Sequence, residues 1–427
     1  MSAPAARPVT PRLRVMVQRR KVILGTLGAA ASLAAAGCAD KARGGTASGA
    51  KSPLSWHSPA VPSAAPISLT VSPAAGKADV SPAEPVVVAV EGGQLDSVTV
   101  VSGTTRLAGA VESDGAGWRS TGTMAYGKTY KVTASILDST GAKVEKTSTF
   151  STVKPQSVAK ITFQANGLAS IKTGGTYGVG QPVIVAFSKS VTDKAAAEKA
   201  IVVETTPSVP GKFFWFNNST VHWRPAKYWA KGTTIKVRVN ALGLHLGKGV
   251  YGSANRETHF TIGRALVAVN DNNTHRTRVY VDGKMVRDMA SSNGRGGYTT
   301  IANGHQIHFW TQNGPHVVLS KERVHSMSSA SYGLTDPNNP YYYAPEDVEY
   351  CTRITYSGEF LHAAPWNHSL GRANISHGCV NLGVADAKWV YENFLIGDVV
   401  EVSHSPKKLP IWDGLGDWTV SYDKYGT

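Results

Sequence analysis

Cysteine is scarce in this chain, with three in 427 residues, at positions 38, 351 and 379. That rules out a fold stapled by several disulfides, so each core has to hold by packing alone. Charge is thin as well: Asp, Glu, Lys and Arg together make 17% of the residues. No nucleic-acid-binding motif occurs, which argues against DNA or RNA as a partner. Acidic residues are missing altogether before position 38. The apolar Ala-rich stretch at 22–37, about 16 residues, is too short to span a bilayer comfortably.

Glycine and proline, by contrast, are plentiful (43 and 22), and Val/Thr-rich runs alternate with turn residues. The expected fold is therefore mainly β, and 427 residues are too many for one ordinary core. The formal net charge is +15, and removing Arg7, Arg12, Arg14, Arg19, Arg20 and Lys21 leaves +9. A mildly basic mature protein suits an anionic cell-wall surface.

Residues 1–38 read as a secretory signal: a basic start followed by the short apolar stretch. Ala35-Ala36-Gly37-Cys38 is similar to a bacterial lipobox, in which the cysteine is lipidated and becomes the mature N-terminus. The usual leucine three positions earlier is absent. Arg19-Arg20 before Lys21-Val22-Ile23-Leu24 also hints at a twin-arginine export signal. Residues 39–65, rich in Ala, Ser, Gly, Pro and Lys, have little to bury and read as a flexible tether.

Residues 66–154 carry short alternating runs such as Ser97-Val98-Thr99-Val100-Val101 and Tyr130-Lys131-Val132-Thr133-Ala134. The run Val86-Val87-Val88-Ala89-Val90 lacks polar alternation and is expected to be a strand buried on both faces. Residues 155–263 repeat the pattern, most clearly in Pro182 to Phe187 and Thr234 to Val239. The segment Met124 to Val132 matches Trp229 to Val237 position by position, which predicts two related immunoglobulin-like β-sandwiches. The aromatic run Phe213, Phe214, Trp215, Phe216, Trp223, Tyr228 and Trp229 could bind sugar, but more often such a run is core or domain interface.

The chemistry concentrates near the C-terminal end. Ser376-His377-Gly378-Cys379-Val380-Asn381, with His362 upstream, offers a thiol, two imidazoles and a glycine. A cysteine nucleophile needs a base for its proton and backbone donors for the oxyanion. Gly378 lets the backbone bend so that neighbouring amides converge. Ser376 and Asn381 can hold such a turn together or touch a ligand. A zinc site could also be drawn from Cys351, His362, His377 and Cys379, although the paired spacing of zinc motifs is missing. A disulfide between Cys351 and Cys379 would consume the proposed nucleophile, so Cys351 reads as a strand residue beside the site.

The string SHGCVN, with a histidine upstream on FLHAAPW, resembles the signature of the YkuD-type L,D-transpeptidase catalytic domain over residues 264–403. Tandem immunoglobulin-like domains ahead of it are similar to those of actinobacterial members, where they act as a pedestal. The resemblance implies a β-rich catalytic fold with a short helix; the tail at 404–427 is expected to pack back onto the body, since two exposed tryptophans, Trp412 and Trp418, would be unusual there. It implies that Cys379 is the nucleophile and that His362 is its base. His362 would be oriented by the backbone carbonyl of Ala363 and would store the thiol proton as an ion pair. The amides of His377, Gly378 and Cys379 are the oxyanion candidates. Substrate contacts are expected from Tyr342 (chosen by spacing over Tyr341 and Tyr343), Ser357, Gly358, Asn381 and Ser376, with Trp366, Met327 and Tyr332 lining the pocket. Residues 335–347 read as a long lid-like loop.

The reaction the resemblance implies is transfer from the third residue of a tetrapeptide donor stem to an acceptor stem of peptidoglycan, giving a 3→3 cross-link. Water as acceptor would make the protein an L,D-carboxypeptidase. No metal or cofactor is expected, and carbapenem β-lactams are expected to acylate Cys379. A membrane-anchored lipoprotein facing the wall is the expected location. A catalytically silent wall-binding protein is the alternative from another class.

Overall fold

The computed structural model describes residues 66–426, apart from 302, 303 and 345. The signal segment, Cys38 with its lipobox and the tether lie outside the described residues.

The first sandwich sets one four-stranded sheet (Ser68–Ser72, Val87–Glu91, Gly117–Ser120, Gly109–Val111) against another (Thr105–Arg106, Gly93–Ser102, Thr129–Asp138, Lys143–Ser151). Val88, Val90 and Trp118 of one meet Val100, Tyr130, Val132 and Phe150 of the other in a single core. Period-two alternation supplies that inner face, since successive side chains point to opposite sides of a strand. The valine run is a correction to the sequence reading. Val86, Val88 and Val90 are buried, but Ala89 is exposed and Val87 only half-buried. The outer face of that sheet is open to water, so small apolar residues there have nothing to pack on.

The second sandwich pairs a five-stranded sheet centred on Val183–Phe187 with a four-stranded sheet centred on Arg256–Ile262 and Thr234–Val239. A helix, Lys194–Ala200, is present that the sequence reading did not anticipate; Asp193 caps it, its Oδ1 accepting from the Ala196 N–H at 3.0 Å. The matched segments of the two sandwiches share a turn, with Gly127 and Gly232 both in left-handed backbone at φ 62° and 77°. The aromatic run is packed. Trp223 and Trp229 stack at 5.8 Å within the core, Phe214 stacks on Tyr425 at 5.1 Å, and the Tyr228 hydroxyl donates to Glu401 at 2.9 Å.

Residues beyond 264 build one nine-stranded mixed sheet. Its order is Gly314–Val317, Val399–Ser403, Leu266–Asp271, Arg276–Val281, Lys284–Ser292, Val380–Leu382, Phe360–Ala363, Glu346–Arg353, Ser320–Met327. Asp282 and Gly283 make the two-residue hairpin turn expected of Asp-Gly, pairing Val281 with Lys284. The helix Val384–Asn393 lays Ala387 and Val390 on Leu361, Ala363, Val380 and Leu382. Arg353-Ile354-Thr355-Tyr356 has the alternation of a strand, yet the strand stops at Arg353. A tight turn intervenes, closed by the Ile354 N–H donating to Glu359 O at 2.9 Å and the Glu359 N–H to Thr355 Oγ1 at 2.8 Å.

The tail folds against both neighbours. Trp418 Nε1 donates to Gly180 O at 2.8 Å, and buried Asp417 accepts from His222 Nδ1 at 2.9 Å. Trp412 departs from expectation: it is 67% exposed, because buried Leu409 and Asp413 on either side anchor the segment and leave the indole outward.

Candidate active site

Two short strands carry the site. Phe360–Ala363 runs parallel to Val380–Leu382, with Leu361 beside Val380, His362 beside Asn381 and Ala363 beside Leu382. Leu361, Ala363, Val380 and Leu382 face the helix and are fully buried. Alternation therefore turns Phe360, His362, Asn381 and, one step before the strand, Cys379 to the opposite face. Continuing the register backward sets Cys379 beside Phe360, with His362 as the next residue along on the same face. The thiol packs with Met327, Cys351 and Phe360, and both cysteines are free.

The loop bearing Cys379 is tightly held. Ser376 Oγ donates to Cys379 O at 2.6 Å and accepts from the Gly378 N–H at 3.1 Å. Thr311 Oγ1 donates to Gly378 O at 2.7 Å. Gly378 sits at φ 137°, which a side chain would resist. His362 is buried, and its Nδ1 lies 2.8 Å from Ala363 O. A carbonyl can only accept, so Nδ1 carries the hydrogen and Nε2 is left with a free lone pair. Trp366, half exposed, stacks on the ring of His362 at 6.2 Å.

Burial pushes the Cys379 thiol up to about 12, outweighing the Phe360 N–H that favours the thiolate. Burial likewise pulls the His362 imidazole down to about 4, against the bond to Ala363. His377 falls to about 4, through burial and then the nearby Arg295 charge. These directions run against the stored ion pair expected from the sequence, since burial disfavours the charged form of each group. For Cys379 the loss of water outweighs the nearby Arg353 charge, which favours the thiolate.

Cys379, His377 and Gly378 form part of the wall of a cavity of about 990 Å³, reaching from Met327 and Tyr332 to Lys408 and Trp412.

Residues 264–402 match the family described as the L,D-transpeptidase (YkuD) catalytic domain, and residues 77–245 match the bacterial Ig domain family. The chain is 37% identical over 360 residues to L,D-transpeptidase 2 of Mycobacterium tuberculosis, covering 84% of this chain and 83% of that one. It is 32% identical over 364 residues to L,D-transpeptidase 5 of the same organism, covering 84% of this chain and 76% of the relative. The chain belongs to the L,D-transpeptidase family. Among solved structures, L,D-transpeptidase 3 from Mycobacterium tuberculosis in complex with a faropenem-derived adduct is 31% identical, covering 57% of this chain and 98% of that chain, with a TM-score of 0.44.

In this L,D-transpeptidase, Met327, Tyr332, Ser357 and Gly358 lie on the cavity wall together with Cys379. His362, Ala363, Trp366, Ser376 and Asn381 do not. Asn381 is buried beside His362, and both hydrogen bonds of the Ser376 hydroxyl stay within its own loop. Tyr342 is a correction: of Tyr341, Tyr342 and Tyr343, it is Tyr343 that lies on the wall. The Tyr343 carbonyl and N–H bind Ser329, and its ring lies 5.1 Å from His377. Tyr341 packs on Phe309 at 4.6 Å. Ser357 faces the cavity, but its hydroxyl is engaged, donating to Asp413 at 2.6 Å. Gly358 O accepts from the Cys379 thiol at 3.6 Å.

Sequence reasoning missed Glu359, His316 and Asp413. Glu359 is buried between His316 Nε2 at 3.3 Å and the Gln312 N–H at 3.0 Å, and burial raises its pKa. No local signal marks these residues; Glu359 and Asp413 reach the cavity wall that Cys379 shares, and His316 stands behind Glu359. Among the described residues, no group of three or more His, Cys, Asp or Glu is arranged to hold a metal.

Proposed function

We propose that this L,D-transpeptidase forms 3→3 peptidoglycan cross-links through a thioester on Cys379, with His362 as the base. The observation that supports this most is the Nδ1 bond to Ala363, since it aims a bare Nε2 on the strand face that Cys379 shares.

Burial disfavours the charged form of both the thiol and the imidazole, which makes separate ionisation unfavourable. Proton transfer is therefore coupled to bond formation. The sulfur attacks the carbonyl of the third residue of a tetrapeptide donor stem as Nε2 takes the thiol proton. The N–H groups of His377 and Cys379 hold the oxyanion; that of Gly378 is already given to Ser376. The imidazolium then protonates the terminal D-alanine amine as it leaves. In the second half, the side-chain amine of a diamino acid on an acceptor stem attacks the thioester. His362 collects its proton and returns it to sulfur. No metal or cofactor enters.

His377 carries a buried Nε2 without a partner at the cavity wall, which suits a polar contact to substrate. Met327, Tyr332, Tyr343 and Gly358 would flank the donor. A carbapenem would meet the same thiol, its ring opening to a stable thioester. Lipidation at Cys38 would keep the enzyme on the membrane, facing the wall.

The test is the product profile from purified disaccharide-tetrapeptides. We expect 3→3 dimers with released D-alanine, and a carbapenem mass adduct on Cys379. Cys379→Ala should lose all three. If released tripeptide dominates over dimers, the L,D-carboxypeptidase reading replaces this one. If His377→Ala is far more damaging than His362→Ala, the base is misassigned.

A further inference from the structure

The cavity that holds Cys379 continues to a rim for which the acyl-transfer chemistry has no use. Lys407, Lys408 and Trp412 line it. At about 990 Å³ the space lies at the upper end of the usual range for ligand pockets.

The backbone under this rim is pinned. The Asn313 N–H donates to Lys407 O at 2.6 Å, and the Leu409 N–H returns to Asn313 O at 2.9 Å. Beyond Trp412, the Asp413 carboxylate accepts from the Ser357 N–H at 2.7 Å and from Gln312 Nε2 at 2.6 Å. Trp412, at 67%, is the most exposed large apolar side chain among the described residues. On this pinned frame the indole offers a flat apolar face at the rim of the cavity.

Charge points the same way. Neither Lys407 nor Lys408 has an ion-pair partner among the described residues. The acids on this wall are occupied: Glu359 faces His316, and Asp413 holds its hydrogen-bond donors. Two uncompensated ammonium groups beside an exposed aromatic face match a ligand that joins a sugar ring to a carboxylate.

We propose that Lys407, Lys408 and Trp412 form a glycopeptide subsite. A pyranose ring stacks on Trp412, and the two lysines pair with a carboxylate of the attached stem. The proposal rests on the reading of Cys379 as the acyl-accepting residue, since that reading makes a glycan-linked stem the substrate. It extends specificity from the stem peptide to its glycan.

The test measures binding to the full chain carrying Cys379→Ala, by calorimetry, with the disaccharide-tetrapeptide and with the same tetrapeptide lacking sugar. Adding Trp412→Ala should weaken the disaccharide-tetrapeptide roughly threefold to tenfold, the range of one aromatic contact, and leave the sugar-free peptide within about twofold. Lys407→Gln with Lys408→Gln should weaken both ligands about threefold or more, and should flatten the loss of affinity between about 50 and about 200 mM salt. With Cys379 restored, both rim variants should keep their carbapenem acylation rate within about twofold, which shows an intact catalytic centre. Equal weakening of both ligands by Trp412→Ala, or no weakening by any rim variant, overturns the subsite. Failure of the catalytic reading looks different: the rim variants still discriminate the two ligands, while the parent chain forms neither dimer nor adduct.

Discussion

Titrating the Cys379 thiol in the parent and in His362→Ala separates a stored ion pair from proton transfer during attack. With burial holding the thiol near 12, roughly one molecule in 100,000 carries thiolate at pH 7. An ordinary cysteine near 8.5 has roughly three in 100. The thiolate population therefore falls by between three and four powers of ten. A more basic thiolate is also a better nucleophile, which restores between one and two of them. Alkylation by iodoacetamide at pH 7 should then run about a hundredfold slower than for free cysteine. His362→Ala removes a neutral ring, so the thiol titration should barely move. Acylation by a carbapenem should nevertheless fall between about 100-fold and 10,000-fold, the usual worth of a positioned base. The assay pairs far-ultraviolet thiolate absorbance against pH with the adduct formation rate. Thiolate appearing below about pH 7 in the parent, and moving upward in His362→Ala, would refute the neutral resting state.

Three further outcomes follow from the same geometry. His362 rests near 4 against an ordinary 6.5, so its folded form resists protonation. The stability it contributes is fully present above pH 6.5 and is lost as pH falls toward 4. Chemical denaturation should show the gap between parent and His362→Ala shrinking by about 3 kcal/mol over that window, and a gap independent of pH overturns it. Asp413→Ala strands buried donors of Ser357 and Gln312 and should cost about 3 kcal/mol or more, read from the urea midpoint. Asp413→Asn, which keeps one acceptor, should cost about half as much; a neutral Asp413→Ala contradicts the role given to the tail. Tyr343→Ala should raise the KM for donor stem at least about threefold and Tyr342→Ala by less than about twofold, as one aromatic contact predicts; equal effects would contradict the placement of these rings.

Much of this protein was legible in its residues because the physics involved is short-range. Alternation along Thr234–Val239 marks a half-buried strand wherever that strand ends up. Asp282-Gly283 turns a hairpin through its own backbone freedom, and Gly127 and Gly232 repeat one turn in two sandwiches. The spacing from Ser376 to Cys379 was enough to expect a turn held by Ser376, since both bonds of its hydroxyl lie within three residues, whereas the Thr311 bond to Gly378 O comes from a distant segment.

Burial was not legible, because it sums over neighbours from many strands. Only the assembled sheet shows Val87 and Ala89 facing an open side, and it selects Tyr343 over Tyr342 by anchoring the loop to Ser329. Asp413 reaches Ser357 across 56 positions, and Glu359 meets His316 from a separate strand. The protonation of Cys379 and His362 belongs to this second kind. Residue identity set their chemistry, whereas the loss of water around them, which only the tertiary structure decides, disfavours the charged form of both.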